Sequence, residues 1–292
     1  MKTVRTISEV RAALAAPRQR ARVIGLVPTM GAFHDGHLSL MRRAREQCDV
    51  VVVSLFVNPT QFNESSDLAA YPRDEARDAR IAADLGVDYL FAPPVGEIYP
   101  NGFATTVSVA GTTDTLEGAH RGRAHFDGVS TVVTKLFNIV APDVAYFGQK
   151  DAQQVAVIRR LVRDLDIPVR IRVCPTVRDP DGLALSSRNA HLSPDERARA
   201  AGLNRALEAA QHAVTGGERD PRSVSAIARA ALTEADVEPE YLEFVSADTM
   251  TPMRRIDGDT LAVVAARVGS TRLIDNHLLS TSAAGSSDDR RQ

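Results

Sequence analysis

The chain has 292 residues, of which 44% are hydrophobic and 25% are charged, and its formal net charge is −2. These values are ordinary for a globular protein with one large and one smaller domain. Positive and negative residues are interspersed along the sequence, so neither nucleic acid nor an anionic membrane is expected as a partner.

The apolar segments and the cysteines indicate a cytoplasmic protein. The longest apolar runs, such as Val50–Val53 and Leu55–Val57, are far shorter than the roughly 20 residues of a membrane span. Residues 1–22 lack the continuous apolar core of a secretory signal. Cys48 and Cys174 can form neither a disulfide framework nor a metal knuckle, and we expect two buried thiols.

The first 180 residues alternate between apolar runs and amphipathic runs, which predicts an α/β domain with a Rossmann-like parallel sheet. The predicted strands are Arg22–Pro28, Asp49–Val57, Val87–Ala92, Val144–Phe147 and Val169–Cys174, and the predicted helices are His37–Glu46, Arg73–Leu85, Gly128–Ile139 and Ala152–Leu165. A parallel sheet binds ligands at the carboxyl ends of its strands, so functional residues are expected in the loops that follow the strands.

The loop after the first predicted strand contains two histidines and two glycines, between Pro28 and His37. Glycine lets the backbone approach an anion, and a helix N-terminus offers free N–H groups to phosphate. His34 and His37 are three residues apart, so both can face one bound group. Two structural histidines or a metal site are the alternatives, and the lack of a third ligand nearby favours phosphate over metal.

The second predicted strand ends in Asn58-Pro59-Thr60-Gln61, which places two amides at its carboxyl end. Amides can hold a small polar ligand without adding charge. Taken alone, Asn58 is more often a turn former than a ligand, because Asn-Pro is a common turn sequence.

A third loop, Gly148–Gln154, joins the predicted strand at Val144 to the next helix. Lys150 can reach phosphate oxygens, and Asp151 can accept a hydrogen bond from ribose or cap the helix. Gln154 lies about one turn further along the same face. A solvated lysine and a plain helix cap are the alternatives for Lys150 and Asp151.

The pattern changes after Asn189 to that of a smaller α/β domain, which we assign to residues 181–279. Ser193-Pro194-Asp195-Glu196 combines an N-cap, a first-turn proline and a capping glutamate, which predicts one long helix as far as about Thr215. The other predicted elements are a helix at Ser223–Ala235 and strands at Tyr241–Ser246 and Leu261–Arg267. Residues 280–292 have little apolar content and are predicted to be a disordered tail.

The junction of the two predicted domains contains Ser186, Ser187 and Arg188 in a row. Two hydroxyls and a guanidinium form a donor cluster suited to the outer phosphates of a triphosphate. Their position predicts a mobile clamp, with the second domain acting as a lid over a nucleotide.

Four segments, taken together and in order, resemble the pantothenate synthetase family of the HxGH nucleotidyltransferase superfamily: PTMGAFHDGHLSL, VSLFVNPTQF, FGQKDAQQ and DGLALSSRN. The resemblance covers about residues 20–280. It implies that ATP and (R)-pantoate give a bound pantoyl adenylate and pyrophosphate, and that β-alanine then displaces AMP to form pantothenate. It also implies Mg²⁺ on the phosphates, with no protein ligand identified, and a homodimer.

The resemblance implies roles for thirteen residues. The catalytic residues at the ATP phosphates would be His34, His37, Lys150 and Arg188, with Ser186 and Ser187 as further donors to the triphosphate. Gly148 and Asp151 would contact the ribose, Val177 would be a further ATP-binding residue, and Met30 would lie over the reacting centre. Pantoate would be bound by Gln61, Gln154 and Asn58.

One segment departs from the family pattern. Between Glu117 and His125 the chain is one residue longer than the family usually is, which leaves open whether Arg121 or Arg123 is the family's arginine. Two other functions also remain open: a nucleotidyltransferase that leaves a nucleotide on its product, and a nucleotide-binding module without catalytic activity.

Overall fold

The computed structural model describes residues 1–281, which form two compact units. The first comprises Met1–Val177 and Leu185–Ser187, and the second comprises Arg178–Ala184 and the described residues from Arg188 onward. The predicted tail lies outside the described residues, except for its first two positions.

The first unit contains the alternating strands and helices expected from the sequence. Its elements are β1 (Lys2–Val4), α1 (Ile7–Gln19), β2 (Ile24–Thr29), α2 (Asp35–Gln47), β3 (Val50–Leu55), α3 (Ser65–Ala70), α4 (Glu75–Asp84), β4 (Tyr89–Phe91), α5 (Val95–Ile98), α6 (Glu117–Arg121), α7 (Arg123–Val140), β5 (Val144–Gly148), α8 (Ala152–Asp164) and β6 (Arg170–Cys174). Short 3₁₀ helices occupy Pro59–Gln61, Gln149–Asp151 and Ser187–His191, the last of which runs into the second unit. None of the helices within residues 1–281 is long and apolar enough to cross a membrane.

Within the described residues, the strands of this unit form one six-stranded parallel sheet with the order β1-β4-β3-β2-β5-β6. From β2 the chain moves outward through β3 to β4, and it then returns to β5 on the other side of β2. The strand order therefore reverses between β2 and β5, and a parallel sheet opens a ligand-binding crevice at the carboxyl ends of such a pair. The predicted α/β fold is confirmed.

Both faces of the sheet are covered, because successive side chains of a strand point to opposite faces and the central strands carry apolar side chains on each face. Leu26 and Val52 pack with α1, α7 and α8 on one face, while Val27 and Val53 pack with α2 and α4 on the other. Cys48 and Cys174 are buried and unbonded to each other, as predicted. Burial raises the pKa of both thiols.

The N-terminal elements were not predicted. β1 is three residues long and pairs in parallel with β4, so it is too short to show a periodic pattern. α1 begins with a capping box in which Thr6 accepts from the Glu9 amide and Glu9 accepts from the Thr6 amide. The short helices α3, α5 and α6 were missed for the same reason as β1.

The second unit packs helices on an antiparallel sheet of the order β7-β8-β9. Its elements are α9 (Pro194–Ala200), α10 (Gly202–Thr215), α11 (Pro221–Glu234), β7 (Pro239–Ser246), β8 (Thr260–Val268) and β9 (Thr271–Leu278). The prediction of one helix from Ser193 to Thr215 was wrong, because the helix breaks at Ala201. At Gly202, a Cβ atom would lie 2.3 Å from the Cβ of Ala235, so α10 starts in close contact with the end of α11.

Candidate functional site

Four neighbouring strands carry the loops that the sequence singled out. β3, β2, β5 and β6 are adjacent and parallel, so the loops that follow them leave from the same edge of the sheet. Met30 follows β2, Asn58 follows β3, Gly148 ends β5, and Val177 lies just after β6. Ser186 and Ser187 also belong to the first unit, while Arg188 belongs to the second.

The histidine-containing loop after β2 is held by a buried carboxylate from α4. Asp78 is 1% exposed, and its two oxygens accept from the amide nitrogens of Ala32 at 2.7 Å and Phe33 at 3.0 Å. Gly31 has a φ of 88°, and a Cβ atom there would lie 2.9 Å from Asp78 Oδ2. The carboxylate and the glycine together determine the path of this loop.

Sequence reasoning missed Asp78, although the helix pattern contained a signal. Asp78 and Ala82 are four residues apart and are the buried residues of α4, so an acidic residue occupies the face that packs on the sheet. A carboxylate on an apolar helix face indicates a buried partner. Here that partner is the backbone of the loop some 45 residues earlier.

His34 and His37 form a capping box at the start of α2. Nδ1 of His34 accepts from the Gly36 amide at 3.2 Å, and Nδ1 of His37 accepts from the His34 amide at 3.5 Å. A neutral imidazole that accepts at Nδ1 carries its proton on Nε2. Both rings therefore offer an Nε2–H donor, and their centroids are 4.2 Å apart.

Both histidines are neutral in the free protein. Burial, followed by the neighbouring His34, lowers the pKa of His37 to about 3. Burial, followed by the charge of Lys150, also lowers the pKa of His34. Asp151 opposes the shift at both rings, so the loop after β5 acts electrostatically on the loop after β2.

The loop after β3 contacts the loop after β2 through Gln61. Asn58 caps the 3₁₀ helix Pro59–Gln61, and its side chain accepts from the Thr60 amide. Nε2 of Gln61 lies 3.0 Å from Sδ of Met30. Two residues predicted from different motifs are therefore in direct contact.

Helix α7 approaches this 3₁₀ helix closely. A Cβ atom on Gly128 would lie 2.5 Å from the carbonyl oxygen of Thr60, so only glycine permits the observed packing. Nδ1 of His125 lies 2.6 Å from the carbonyl oxygen of Gln61. Because a carbonyl only accepts, this ring nitrogen is the donor, and burial lowers the pKa of His125.

The loop after β5 supplies a cation and a carboxylate. Nζ of Lys150 is 3.7 Å from Oδ1 of Asp151, with the lysine side chain 19% exposed and the aspartate 52% exposed. Asp151 is the N-cap residue of α8, but within the described residues its side chain makes no capping hydrogen bond to that helix. Gly148 has open space where a Cβ atom would point, and Gln154 lies half-buried in the first turn of α8.

The two candidate arginines lie in different surroundings. Nε of Arg121 donates to Oε2 of the buried Glu117 at 3.0 Å, and both charges act on His125. Arg123 is exposed and donates to Oγ of Ser108. Of the two, Arg121 is the one whose charge acts on His125, the ring that contacts the carbonyl oxygen of Gln61.

Residues 1–281 contain no group of three or more His, Cys, Asp or Glu side chains that could hold a metal ion. Magnesium commonly binds through substrate phosphates and water with only one or two carboxylates.

Comparisons with known proteins agree on one family. A family model described as pantoate-beta-alanine ligase matches residues 2–278. A pantothenate synthetase from Cereibacter sphaeroides is 54% identical over 274 residues, which is 94% of this chain and 98% of the relative.

Solved structures give the same result. The pantothenate synthetase of Thermus thermophilus is 46% identical with a TM-score of 0.89, covering 95% of this chain and 99% of that one. The pantoate-beta-alanine ligase of Francisella tularensis, described as complexed with beta-gamma ATP and β-alanine, is 35% identical with a TM-score of 0.78, covering 95% and 97%.

We expect Asp78→Asn to weaken ATP binding by about tenfold, because one acceptor of the loop amides is replaced by a donor. Isothermal titration with ATP measures the change. Asp74→Asn is the matched control, because Asp74 is exposed and caps the same helix, where asparagine serves equally well. An unchanged ATP affinity in Asp78→Asn would show that the carboxylate only stabilises the fold.

We expect the stability of the protein to fall as the pH drops below 6.5, in part because His37 resists protonation. The unfolded histidine titrates near 6.5 and the folded one near 3, so the unfolded state binds the proton first. Between pH 6.5 and 5 this difference in proton binding lowers the free energy of unfolding by about 2 kcal/mol. Urea unfolding of His37→Gln should show a correspondingly smaller fall, and an equal fall in both proteins would contradict the assignment.

Proposed function

This chain belongs to the pantoate-β-alanine ligase family and is a ligase that joins pantoate to β-alanine; we propose that it does so in two steps driven by ATP. The observation that carries the proposal is the contact between Gln61, in the loop after β3, and Met30, in the loop after β2, which is one of the two strands at the strand-order reversal. This contact supports a phosphate site in the loop after β2 next to a site for a small polar acid in the loop after β3.

In the first step, a carboxylate oxygen of (R)-pantoate attacks the α-phosphorus of ATP. The P–O bond to pyrophosphate breaks, and pantoyl adenylate remains bound. Carboxylate and triphosphate repel each other, so the catalyst must supply positive charge and donors that are already in place. We assign this role to Lys150, to Arg188 and to the Nε2–H groups of His34 and His37.

The two histidines suit this role because their tautomer is set before ATP binds. Each Nδ1 is used by the helix cap, so each ring directs its remaining proton outward. Donors that need no reorganisation stabilise the charge that builds on the leaving pyrophosphate. Ser186 and Ser187 are assigned as further donors to the triphosphate.

The nucleoside part of ATP is assigned to the residues after β5 and β6. Gly148 leaves open space beside the backbone, Asp151 offers a carboxylate to the ribose, and Val177 lies at the neighbouring strand end. Pantoate is assigned to Gln61 and Gln154, with Asn58 beside Gln61 and Met30 over the reacting carboxylate.

In the second step, the amine of β-alanine attacks the acyl carbon of the adenylate. A C–N bond forms, the C–O bond to AMP breaks, and the amine releases a proton to solvent or to a nearby base. The enzyme needs no nucleophilic side chain, since both nucleophiles belong to the substrates.

We propose Mg²⁺ as the counter-ion of ATP, held largely through the phosphates and water. When bound, it would neutralise phosphate charge. From the family resemblance we also propose a cytoplasmic homodimer. The domain boundary after residue 180, the lid role of residues 181–279 and the clamp formed by Ser186, Ser187 and Arg188 stay predictions.

Pyrophosphate release tests this function directly. With ATP and pantoate but no amine, we expect one equivalent of pyrophosphate per active site, and β-alanine should then allow turnover to a product with the mass of pantothenate. A nucleotidyltransferase would keep the nucleotide on its product, and a binding module would release no pyrophosphate. Either result would overturn the proposal.

We expect Lys150→Ala to slow adenylate formation at least about a hundredfold, because one cation placed against the leaving pyrophosphate is worth about 3 kcal/mol. Lys2→Ala is the matched control, since Lys2 is an exposed lysine in the edge strand β1. Rapid-quench measurement of the first turnover isolates this step. A rate equal to that of the wild type would remove Lys150 from the mechanism.

A further inference from the structure

We propose that Tyr99 and Asn58 are positioning residues that turn the amide of Gln61 so that it offers an N–H donor, and not its carbonyl oxygen, to pantoate. This inference rests on the proposed role of Gln61 at pantoate. Tyr99 follows the short helix α5, where neither the periodicity of the sequence nor its motifs indicated a function.

The first step of the argument is the orientation of the Asn58 amide. Asn58 is fully buried, and it lies between two backbone groups that can play only one role each. The carbonyl oxygen of Gly128 can only accept, so the atom 3.1 Å from it is the amide nitrogen of Asn58. The amide nitrogen of Thr60 can only donate, and it lies 3.4 Å from Oδ1. These two contacts exclude the flipped amide.

The second step passes this orientation on to Gln61. Nδ2 of Asn58 donates to Oε1 of Gln61 at 3.0 Å, which uses the carbonyl end of the Gln61 amide. The nitrogen end therefore points the other way, towards Met30. His125 holds the backbone of the same residue through the Gln61 carbonyl. Both the backbone and the side chain of Gln61 are thus fixed by buried or half-buried partners.

The third step concerns Tyr99, whose hydroxyl donates to Oδ1 of Asn58 at 2.8 Å. The Thr60 hydroxyl donates to the same oxygen at 2.9 Å, and the Thr60 amide donates to it as well. Three donors therefore converge on Oδ1 of Asn58. The ring of Tyr99 packs against Phe56 and Phe103, with centroids 6.1 and 5.1 Å away. The hydroxyl also lies 3.2 Å from Oγ1 of Thr60. Removing only the hydroxyl therefore tests its contacts with Asn58 and Thr60 while the ring packing remains.

The consequence is selectivity for an acceptor. A carboxylate has no proton to donate, so it binds an amide that presents N–H and is repelled by one that presents its carbonyl oxygen. A Gln61 free to rotate would spend part of its time in the repelling orientation. Pre-orientation by Asn58 and Tyr99 keeps the N–H group directed at pantoate, so no binding free energy is lost to the repelling orientation. It does so without placing a charge beside the triphosphate.

The test is Tyr99→Phe, measured by steady-state kinetics with each substrate varied in turn. We expect the KM for pantoate to rise about fivefold, the effect of one hydrogen bond, while the KM for ATP changes less than about twofold. Tyr89→Phe is the matched control. It also removes a tyrosine hydroxyl, but that hydroxyl lies 3.4 Å from the carbonyl oxygen of Ala13 in α1 and not beside Asn58. Thermal unfolding of both variants separates a loss of stability from a loss of orientation.

A double-mutant cycle with Gln61→Ala shows whether Tyr99 acts through Gln61. We expect Tyr99→Phe to cause no further rise in the KM for pantoate when Gln61 is already alanine. A second fivefold rise in that background, or equal rises for pantoate and ATP in the single variant, would overturn the inference. Failure of the wild-type protein to make pantothenate would instead overturn the proposed function.

Discussion

Parallel strands end at the same edge of a sheet, and the chain reverses its strand order between β2 and β5. At such a reversal the helices that follow the two strands lie on opposite faces, so the loops diverge and leave a crevice. The histidine loop lies on one side of this crevice and the loop with Lys150 and Asp151 lies on the other. Every functional assignment to the first unit depends on that single topological feature.

Two buried polar side chains convert the crevice into an ordered site. Asp78 accepts two amide hydrogen bonds from the histidine loop, and Asn58 joins the amide loop to α7. In both cases the partner is backbone, which has a fixed donor or acceptor character and therefore dictates the orientation of the side chain. A buried polar group without such partners would be costly, so these positions tolerate few replacements.

The charges of the site are arranged so that the free protein bears little positive charge in the crevice. His34 and His37 are neutral because burial penalises their charged form, and Lys150 adds to that penalty at both rings. Neutral rings can still donate through Nε2, since their Nδ1 atoms are occupied by the helix cap. The loops after β2 and β5 therefore place Lys150 near two neutral imidazole donors, and these donors are oriented by the fold of α2 itself.

The sequence by itself determined the α/β class, the main strands and helices, and the loops that carry the candidate site residues, because these depend on local periodicity and on short motifs. The turn at Asn58 and the capping box at Ser193 were also readable, since each is set by neighbouring residues. Only the tertiary structure decided the contacts of Asp78 and Tyr99 and the direction of the Gln61 amide. Asp78 and Tyr99 contact partners about 45 and 41 residues away, and Asn58, which directs the Gln61 amide, is itself held by Gly128, 70 residues away. Contacts over such separations leave no periodic or local signal.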